Sequence, residues 1–367
     1  MSRQYYFTGG YTEPIQMASG EIVQGRCKGI GCYKLEPENG RLEQVAVTAS
    51  TENPSYVLAD PRGPYLYCVN EMKSYEGVPG STVTAYEILP ESGKLRFLNR
   101  QFTCGADACH LTLTGDGRFL LAANYSGGSF CVFPVRADHG LEPCSCVLRH
   151  QGRGVNPERQ ESPHPHQTLM SPDGQYVYVS DLGLDRLVCY RGDWEKGWLL
   201  PENGRDILGL PGQGVRHGVF NQTGDRLYVM TEMGCEINVY VWESEGRYKL
   251  LQTVSAREEG RREPDLGAAI RLHPSGKWLY GSVRGSNELA AFAVKADGCL
   301  ERIQRLSCGG EIPRDFVLSP DGRWLLAGCQ DTDSITVFSI DGDSGTLTLV
   351  YTKREVPCVT TVSVWEG

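Results

Sequence analysis

The fold can be inferred from one stretch of the sequence, His164-Pro-His-Gln-Thr-Leu-Met-Ser-Pro-Asp-Gly-Gln-Tyr-Val-Tyr-Val-Ser-Asp181. This stretch predicts two strands joined by a tight turn. Thr168 to Met170 and Tyr176 to Val179 are rich in the β-branched, aromatic and aliphatic side chains that fit a pleated surface. Between them, Ser-Pro-Asp-Gly174 is typical of a turn, and its glycine is free to adopt a positive φ. The sequence therefore predicts a β-hairpin here.

The same pattern occurs six times along the chain. The turn glycines are Gly63, Gly117, Gly174, Gly224, Gly276 and Gly322. Successive glycines are 54, 57, 50, 52 and 46 residues apart, a period typical of propeller repeats. After each second strand the sequence predicts a third, as in Ser129 to Phe133, and a fourth, often opened by Gly-x-Leu as at Gly93. Four antiparallel strands per repeat predict a propeller blade.

The two ends of the chain supply the remaining blade. Tyr5 to Gly10 resembles a second strand, Gly31 to Leu35 a third, and Gly40 to Val45 the start of a fourth, but no inner strand precedes them. Pro357 to Val364 is a spare strand after the last repeat. We expect this strand to be innermost in the N-terminal blade, which closes the ring and removes its open edges. The predicted fold is all-β, a single seven-bladed β-propeller domain over residues 1–367.

Composition narrows the class of protein. The net charge of −9 argues against a nucleic-acid partner, which would favour a basic face. No run of about 18 apolar residues predicts a membrane span, and no secretory signal is predicted at the start of the sequence. The fourteen cysteines mostly occur singly within strand patterns, which favours free thiols in a reducing compartment. We therefore expect a cytoplasmic protein without a membrane partner, either a monomer or a weak homodimer.

Counting from each turn glycine aligns the repeats with one another and predicts a functional site. The start of an inner strand and the end of the second strand lie at the same end of an antiparallel hairpin, so residues eight before and eight after the glycine should meet beside the central channel. The residues eight before are Ser55, Cys109, His166, Arg216, Ala268 and Arg314, with Cys358 as the expected equivalent in the closing strand. The residues eight after are Glu71, Tyr125, Leu182, Glu232, Arg284 and Gln330.

Charged side chains from successive blades are thus expected at one mouth of the channel, namely His166, Arg216, Glu232, Arg284 and Arg314. Such a group of charges is costly to bury, which favours a functional role. The pair Arg216 and Glu232, taken alone, is equally consistent with a stabilising ion pair within one blade.

Several motifs carry a resemblance to a known family: His164-Pro-His166, Val215-Arg-His217, Val229-Met-Thr-Glu232, Arg284 at a strand end, and Pro313-Arg314 with Gln330-Asp331. Over essentially its whole length the chain resembles the 6-phosphogluconolactonases of the seven-bladed propeller type, a fold shared with fungal carboxy-muconate lactonising enzymes. The resemblance implies that His166 is the active-site histidine, that Arg216 and Arg284 are the two active-site arginines, and that Glu232 is the active-site glutamate.

The resemblance also implies an activity, the hydrolysis of 6-phospho-D-glucono-1,5-lactone to 6-phospho-D-gluconate in the pentose phosphate pathway. Such a carboxylic-ester hydrolase needs a base that activates water and a group that stabilises the oxyanion. His166 is the preferred base, and Glu232 is the alternative base or its orienting partner. The arginines, including Arg314, suit the oxyanion and the phosphate of a small anionic sugar-phosphate lactone.

Four more residues are expected to contact the substrate: His164, His217, Gln330 and Tyr125. We expect neither a cofactor nor a metal. His164 and His166 could form a His-x-His metal pair, but the two sets of aligned residues lack the clustered carboxylates that calcium requires. The segment from His150 to Pro163 joins two blades on the same face and is either a lid or a solvated loop.

Other functions remain open. One is a cycloisomerase that forms a lactone from a muconate, or a lactonase for another sugar. A second is a non-catalytic propeller that binds proteins on its rim, although the recurring Trp-Asp signature of such propellers is missing from this sequence. The sequence separates neither hydrolysis from lactonisation nor phosphorylated from unphosphorylated substrates.

Overall fold

The computed structural model describes residues 3–16, 20, 22–48, 51–243, 246–258 and 265–367. These residues form strands and turns but no helix. Consequently none of them belongs to a helix that could cross a bilayer. Seven antiparallel sheets follow one another, and each inner strand contacts the inner strand of the next sheet until the last contacts the first. The predicted seven-bladed β-propeller is confirmed.

The blades are numbered in chain order, and their strands are given from the channel outwards. Blade 1 comprises Val359–Glu366, Gln4–Gly10, Ile30–Leu35 and Leu42–Thr48. Blade 2 comprises Tyr56–Ala59, Tyr65–Asn70, Thr82–Leu89 and Lys94–Phe102. Blade 3 comprises Ala108–Leu113, Phe119–Asn124, Ser129–Pro134 and Cys146–Arg149. Blade 4 comprises Pro165–Met170, Tyr176–Asp181, Arg186–Asp193 and, at its outer edge, Trp198–Pro201 and Ile207–Leu208.

The remaining three blades have four strands each. Blade 5 comprises Val215–Phe220, Arg226–Thr231, Glu236–Glu243 and Arg247–Ser255. Blade 6 comprises Leu266–Leu272, Trp278–Arg284, Glu288–Val294 and Leu300–Ser307. Blade 7 comprises Pro313–Leu318, Trp324–Cys329, Ser334–Ile340 and Leu347–Arg354.

The ring closes through the C-terminal strand, as the sequence predicts. Tyr5 pairs with Trp365 and Thr8 pairs with Val362, so the last strand of the chain is innermost in blade 1. Trp365 stacks on Tyr5 at a ring-centroid distance of 5.9 Å and packs against the core shared with blade 2. Val362 from the same strand packs into the core shared with blade 7. One strand thus completes two interblade cores.

The hairpin in the opening stretch of the sequence forms as predicted. Thr168 pairs with Val179, and Gly174 at the turn has a φ of 70°. Five of the six turn glycines have φ between 70° and 74°, a conformation that costs glycine no steric strain. Gly63 is the exception, because the structure records no positive φ there.

Blade 4 differs from the predicted four-strand pattern. Its outer edge is divided between two short strands, and both pair with the third strand, Arg186–Asp193. That third strand begins at Arg186, because Asp185 before it has a φ of 50° and cannot continue an extended chain. Two small hairpins, Ile15–Gln16 with Ile22–Val23 and Ser74–Tyr75 with Val78–Pro79, also lie outside the repeat.

Candidate active site at the channel mouth

A β-bulge at the start of the inner strand sets the direction of several candidate side chains. In blades 3, 4, 5 and 7 the strand pairing skips one residue at this point, and the skipped residues are Cys109, His166, Arg216 and Arg314. A bulge of this kind re-aims a side chain that regular pairing would direct elsewhere. In the closing strand the skipped residue is Thr360, so the prediction that Cys358 is the equivalent residue is wrong.

Seven of the thirteen aligned residues line one pocket at the channel mouth: Glu71, Cys109, Tyr125, His166, Glu232, Arg284 and Arg314. Of the other described residues, five complete this lining: Gln16, Asp107, Ser126, Arg159 and Leu266. Because these residues come from several blades and from the segments that connect their strands, the pocket exists only in the closed ring.

Glu232 is the centre of a buried ion-pair cluster. Its Oε2 atom accepts a hydrogen bond from Arg216 Nε at 3.0 Å and forms an ion pair with an Arg284 guanidinium nitrogen at 2.9 Å. Its Oε1 atom accepts from Arg159 at 2.5 Å. Burial alone would raise the pKa of Glu232, but the charges of Arg284, Arg159 and Arg216 lower it well below 4.5. Glu232 is therefore a carboxylate at neutral pH, and both of its oxygens already contact guanidinium groups.

Arg159 comes from the segment between blades 3 and 4, whose position the sequence left open between a lid and a solvated loop. The Asn156 side-chain oxygen accepts the Arg159 backbone N–H at 3.1 Å, and Gln160 donates to the Leu182 carbonyl at 2.9 Å. The Arg159 side chain is 20% exposed and reaches Glu232 across the pocket. This part of the segment is therefore a wall of the site.

His166 is neutral and buried beside these charges. It is 4% exposed, and its Nδ1 atom has no hydrogen-bond partner among the described residues. Burial, reinforced by the charge of Arg216, lowers the pKa of His166 well below 6.5. The imidazole therefore has a free lone pair at neutral pH, which a proton acceptor requires.

Arg314 differs from the other arginines of the cluster, because it forms no ion pair with any described residue. Its guanidinium lies over the Tyr11 ring, 5.7 Å from the ring centroid. Burial would lower the pKa of Arg314, but the nearby Tyr11 and Glu71 raise it further above its usual value. Arg314 is thus a permanent cation that faces the pocket without a bound carboxylate.

Four of the predicted site residues lie behind the lining. His164 stacks on Tyr125 with ring centroids 4.5 Å apart, and His217 packs against His166 at 5.1 Å. The Gln330 side chain donates to the Asp331 carboxylate at 3.0 Å, and Arg216 forms an ion pair with Glu232 at 3.0 Å. Since the lining does not include them, direct contact of His164, His217 and Gln330 with a substrate stays an untested prediction that the geometry does not favour. Tyr125, by contrast, does line the pocket.

No cluster of three or more histidine, cysteine or carboxylate side chains suited to a metal ion occurs in the described parts of the chain. The pocket carboxylates are separated instead: Glu232 contacts arginines, and Asp107 contacts Lys73 at 3.1 Å. The arrangement is suited to binding an anion and to accepting a proton from water.

Arg159, Asp107 and Gln16 were not found by counting from the turn glycines. All three lie outside the hairpins that define the repeat, in connections of irregular length. Only Arg159 had a sequence signal, because it lies in the long segment from His150 to Pro163 that the sequence places on this face of the propeller.

Comparisons with known proteins agree with this architecture. The profile of the family described as "Lactonase, 7-bladed beta-propeller" matches residues 6–364. The 6-phosphogluconolactonase of Bacillus subtilis is 33% identical over 340 residues, which cover 92% of this chain and 95% of that protein. The 6-phosphogluconolactonase of Formosa agariphila is 28% identical and covers 87% of this chain and 90% of its own length.

A solved structure extends the similarity. The periplasmic gluconolactonase PpgL of Pseudomonas aeruginosa is 32% identical, with a TM-score of 0.89 over 98% of this chain and 99% of that chain. These relatives support a lactonase role. The chain belongs to the seven-bladed β-propeller lactonase family.

Proposed function

We propose that the protein hydrolyses 6-phospho-D-glucono-1,5-lactone to 6-phospho-D-gluconate. The observation that carries this proposal is the presence, in one pocket, of a neutral buried histidine and an arginine without a carboxylate partner. The first can accept a proton from water, and the second can bind a phosphate. The similarity to two 6-phosphogluconolactonases supports the choice of substrate.

In the proposed mechanism His166 accepts a proton from a water molecule as the water oxygen attacks the lactone carbonyl. The oxyanion that forms is stabilised by Arg284, whose guanidinium lines the pocket and is oriented by Glu232 at 2.9 Å. Glu232 therefore acts by positioning arginines. Arg216, which does not line the pocket, pairs with Glu232 and also donates a hydrogen bond to the Ala268 carbonyl at 2.7 Å.

The phosphate is assigned to Arg314. Arg159, Arg216 and Arg284 already form ion pairs with Glu232, so each would have to share its charge between the carboxylate and a ligand. Arg314 has no such competitor, and its guanidinium can offer two parallel hydrogen bonds to phosphate oxygens.

A second candidate substrate is the unphosphorylated sugar lactone, which the similarity to the gluconolactonase PpgL favours. The deciding experiment is turnover of freshly prepared 6-phosphogluconolactone, gluconolactone and a carboxymuconate, each corrected for its uncatalysed reaction. We expect the highest kcat/KM for the phosphorylated lactone. A preference for gluconolactone would favour the unphosphorylated sugar lactone as the substrate. The absence of turnover with either lactone would refute the proposed lactonase activity.

We also propose that the protein works in the cytoplasm. Its fourteen cysteines are all free, and nine of them are buried, which suits a reducing compartment. The periplasmic location of PpgL is the alternative. Fractionation of the native host decides between the two compartments.

A further inference from the structure

Glu71 is a second pocket carboxyl whose surroundings differ from those of Glu232. It follows the second strand of blade 2, is 6% exposed and lines the pocket. The Tyr11 hydroxyl donates to its two carboxyl oxygens at 3.3 and 3.2 Å. In the described parts of the chain no basic side chain forms an ion pair with Glu71, so it is buried without a neutralising contact.

Asn53 holds both members of this pair in place. Its side-chain oxygen accepts the backbone N–H groups of Thr12 and Glu13 at 2.9 Å, which fixes the segment that follows Tyr11. Its side-chain nitrogen donates to the Glu71 carbonyl at 3.1 Å. The hydrogen bond between Tyr11 and Glu71 therefore joins two blades through a rigid backbone connection.

The other titratable groups in the lining are poorly suited to donating a proton. Glu232 is ionised by its arginines, and Asp107 is ion-paired with Lys73. The Cys109 thiol donates to backbone carbonyls, with Sγ 3.6 Å from the His166 oxygen, and burial raises its pKa. Burial also raises the pKa of Tyr125 to about 12. Glu71 is the remaining carboxyl in the lining.

Resting on the proposed lactonase function, we propose that Glu71 is a further catalytic residue, which protonates the ring oxygen as the lactone opens. His166 removes a proton from water, and the water oxygen bonds to the carbonyl carbon. The bond between that carbon and the ring oxygen then breaks, its electron pair passes to the ring oxygen, and Glu71 supplies the proton. The excess proton on His166 returns to Glu71 through solvent, so the net reaction is lactone plus water to hydroxy acid.

The charges around Glu71 agree with its proposed role as a proton donor. Burial raises the pKa of Glu71 above 4.5, although the charge of Arg314 acts in the opposite direction. On its own side of the pocket Glu71 faces Tyr11, Asp107, Cys109 and Arg314. The other titratable or charged groups in the lining are Tyr125, Arg159, His166, Glu232 and Arg284. A phosphate bound at Arg314 would neutralise the cation that opposes protonation, which favours the acid form in the complex.

The test is the pH dependence of kcat in the wild type and in Glu71→Gln, with 6-phosphogluconolactone. Glutamine retains the shape and can still accept the Tyr11 hydrogen bond. We expect kcat to fall by roughly a hundredfold with KM little changed, and the decline of kcat on the alkaline side of the profile to disappear. An unchanged kcat, or an alkaline limb that survives in Glu71→Gln, overturns the proposal.

A second variant separates catalysis from structural support. Tyr11→Phe removes the hydrogen bond that stabilises ionised Glu71, so the alkaline limb should move to higher pH while kcat at its maximum stays within a few-fold of wild type. An alkaline limb at the wild-type position would contradict Glu71 as the acid. If the wild type hydrolyses no lactone, the proposed function itself fails, whereas an active wild type with an equally active Glu71→Gln refutes only the role of Glu71.

Discussion

Glu71 and Glu232 occupy the same position of the repeat, eight residues after the turn glycines of blades 2 and 5. Both are buried, and both line the same pocket. Glu232 nevertheless contacts three guanidinium groups, whereas Glu71 contacts one phenol. Burial acts in the same direction on both, yet the pKa of Glu232 is lowered and the pKa of Glu71 is raised.

The repeat thus sets where a side chain lies, while its neighbours set its protonation state and its chemistry. The three arginines around Glu232 come from its own blade, from the next blade and from the segment between blades 3 and 4. The partner of Glu71 comes from blade 1, just after the strand Gln4–Gly10. The same structural position therefore holds an ionised carboxylate paired with three arginines in blade 5, Glu232, and a carboxyl without an ion pair in blade 2, Glu71.

The largest expected effect is a difference in stability between Glu232→Gln and Glu71→Gln. Removing the charge of Glu232 leaves three buried or half-buried arginines without their counter-ion, which should lower the free energy of unfolding by about 3–5 kcal/mol. Glu71→Gln, the matched control, keeps its hydrogen bond with Tyr11 and should cost less than about 1 kcal/mol. Urea unfolding at pH 7 measures both. Similar losses in the two variants would contradict the comparison.

The next effect concerns His166, which lines the same pocket as the two carboxyls. His166→Ala should lower kcat for the lactone by roughly a hundredfold or more and change KM little, because a general base acts in the transition state. The control is His139→Asn, since His139 stacks on Tyr65 at 3.7 Å and does not line the pocket. Steady-state kinetics of both variants provide the check. Near-normal kcat in His166→Ala would show that the base lies elsewhere.

The third prediction tests whether Arg314, which lines the same pocket as Glu71, binds the phosphate of the substrate. Arg314→Gln should raise KM for the phosphorylated lactone by about tenfold, the equivalent of one charge-assisted hydrogen bond, and leave KM for gluconolactone nearly unchanged. Arg323→Gln is the matched control, because Arg323 pairs with Asp321 at 2.7 Å on the turn of blade 7. Equal changes for the two lactones would mean that Arg314 does not bind the phosphate.

The smallest effect is a change in the pH dependence of stability. Burial lowers the pKa values of His110, His166 and His217 well below 6.5. The unfolded chain therefore binds more protons below about pH 6.5, so the free energy of unfolding should fall as the pH decreases through that range. His110→Gln should reduce this slope by at most about 1.4 kcal/mol per pH unit. Urea unfolding between pH 7 and 5 measures the slope, and an unchanged slope would be the contrary result.

The architecture could be predicted from the amino-acid sequence. The six turn glycines defined the repeat, and the unpaired strand patterns at the two ends predicted that the C-terminal strand completes blade 1. Counting from those glycines also identified seven residues that line the pocket. These features are periodic, because every blade must bury the same two faces against its neighbours, and a periodic constraint is visible in a single chain.

The chemistry of each pocket residue, by contrast, depends on contacts that form only in the folded ring. The contact of Arg159 with Glu232 and the pairing of Glu71 with Tyr11 depend on residues in the connections between strands, outside the repeated hairpins. These contacts join residues far apart in sequence, and among the described residues they are not repeated from blade to blade, so a periodic pattern does not predict them. The pKa of a buried carboxyl depends on which groups contact it, because a charge or a hydrogen bond acts most strongly at contact distance.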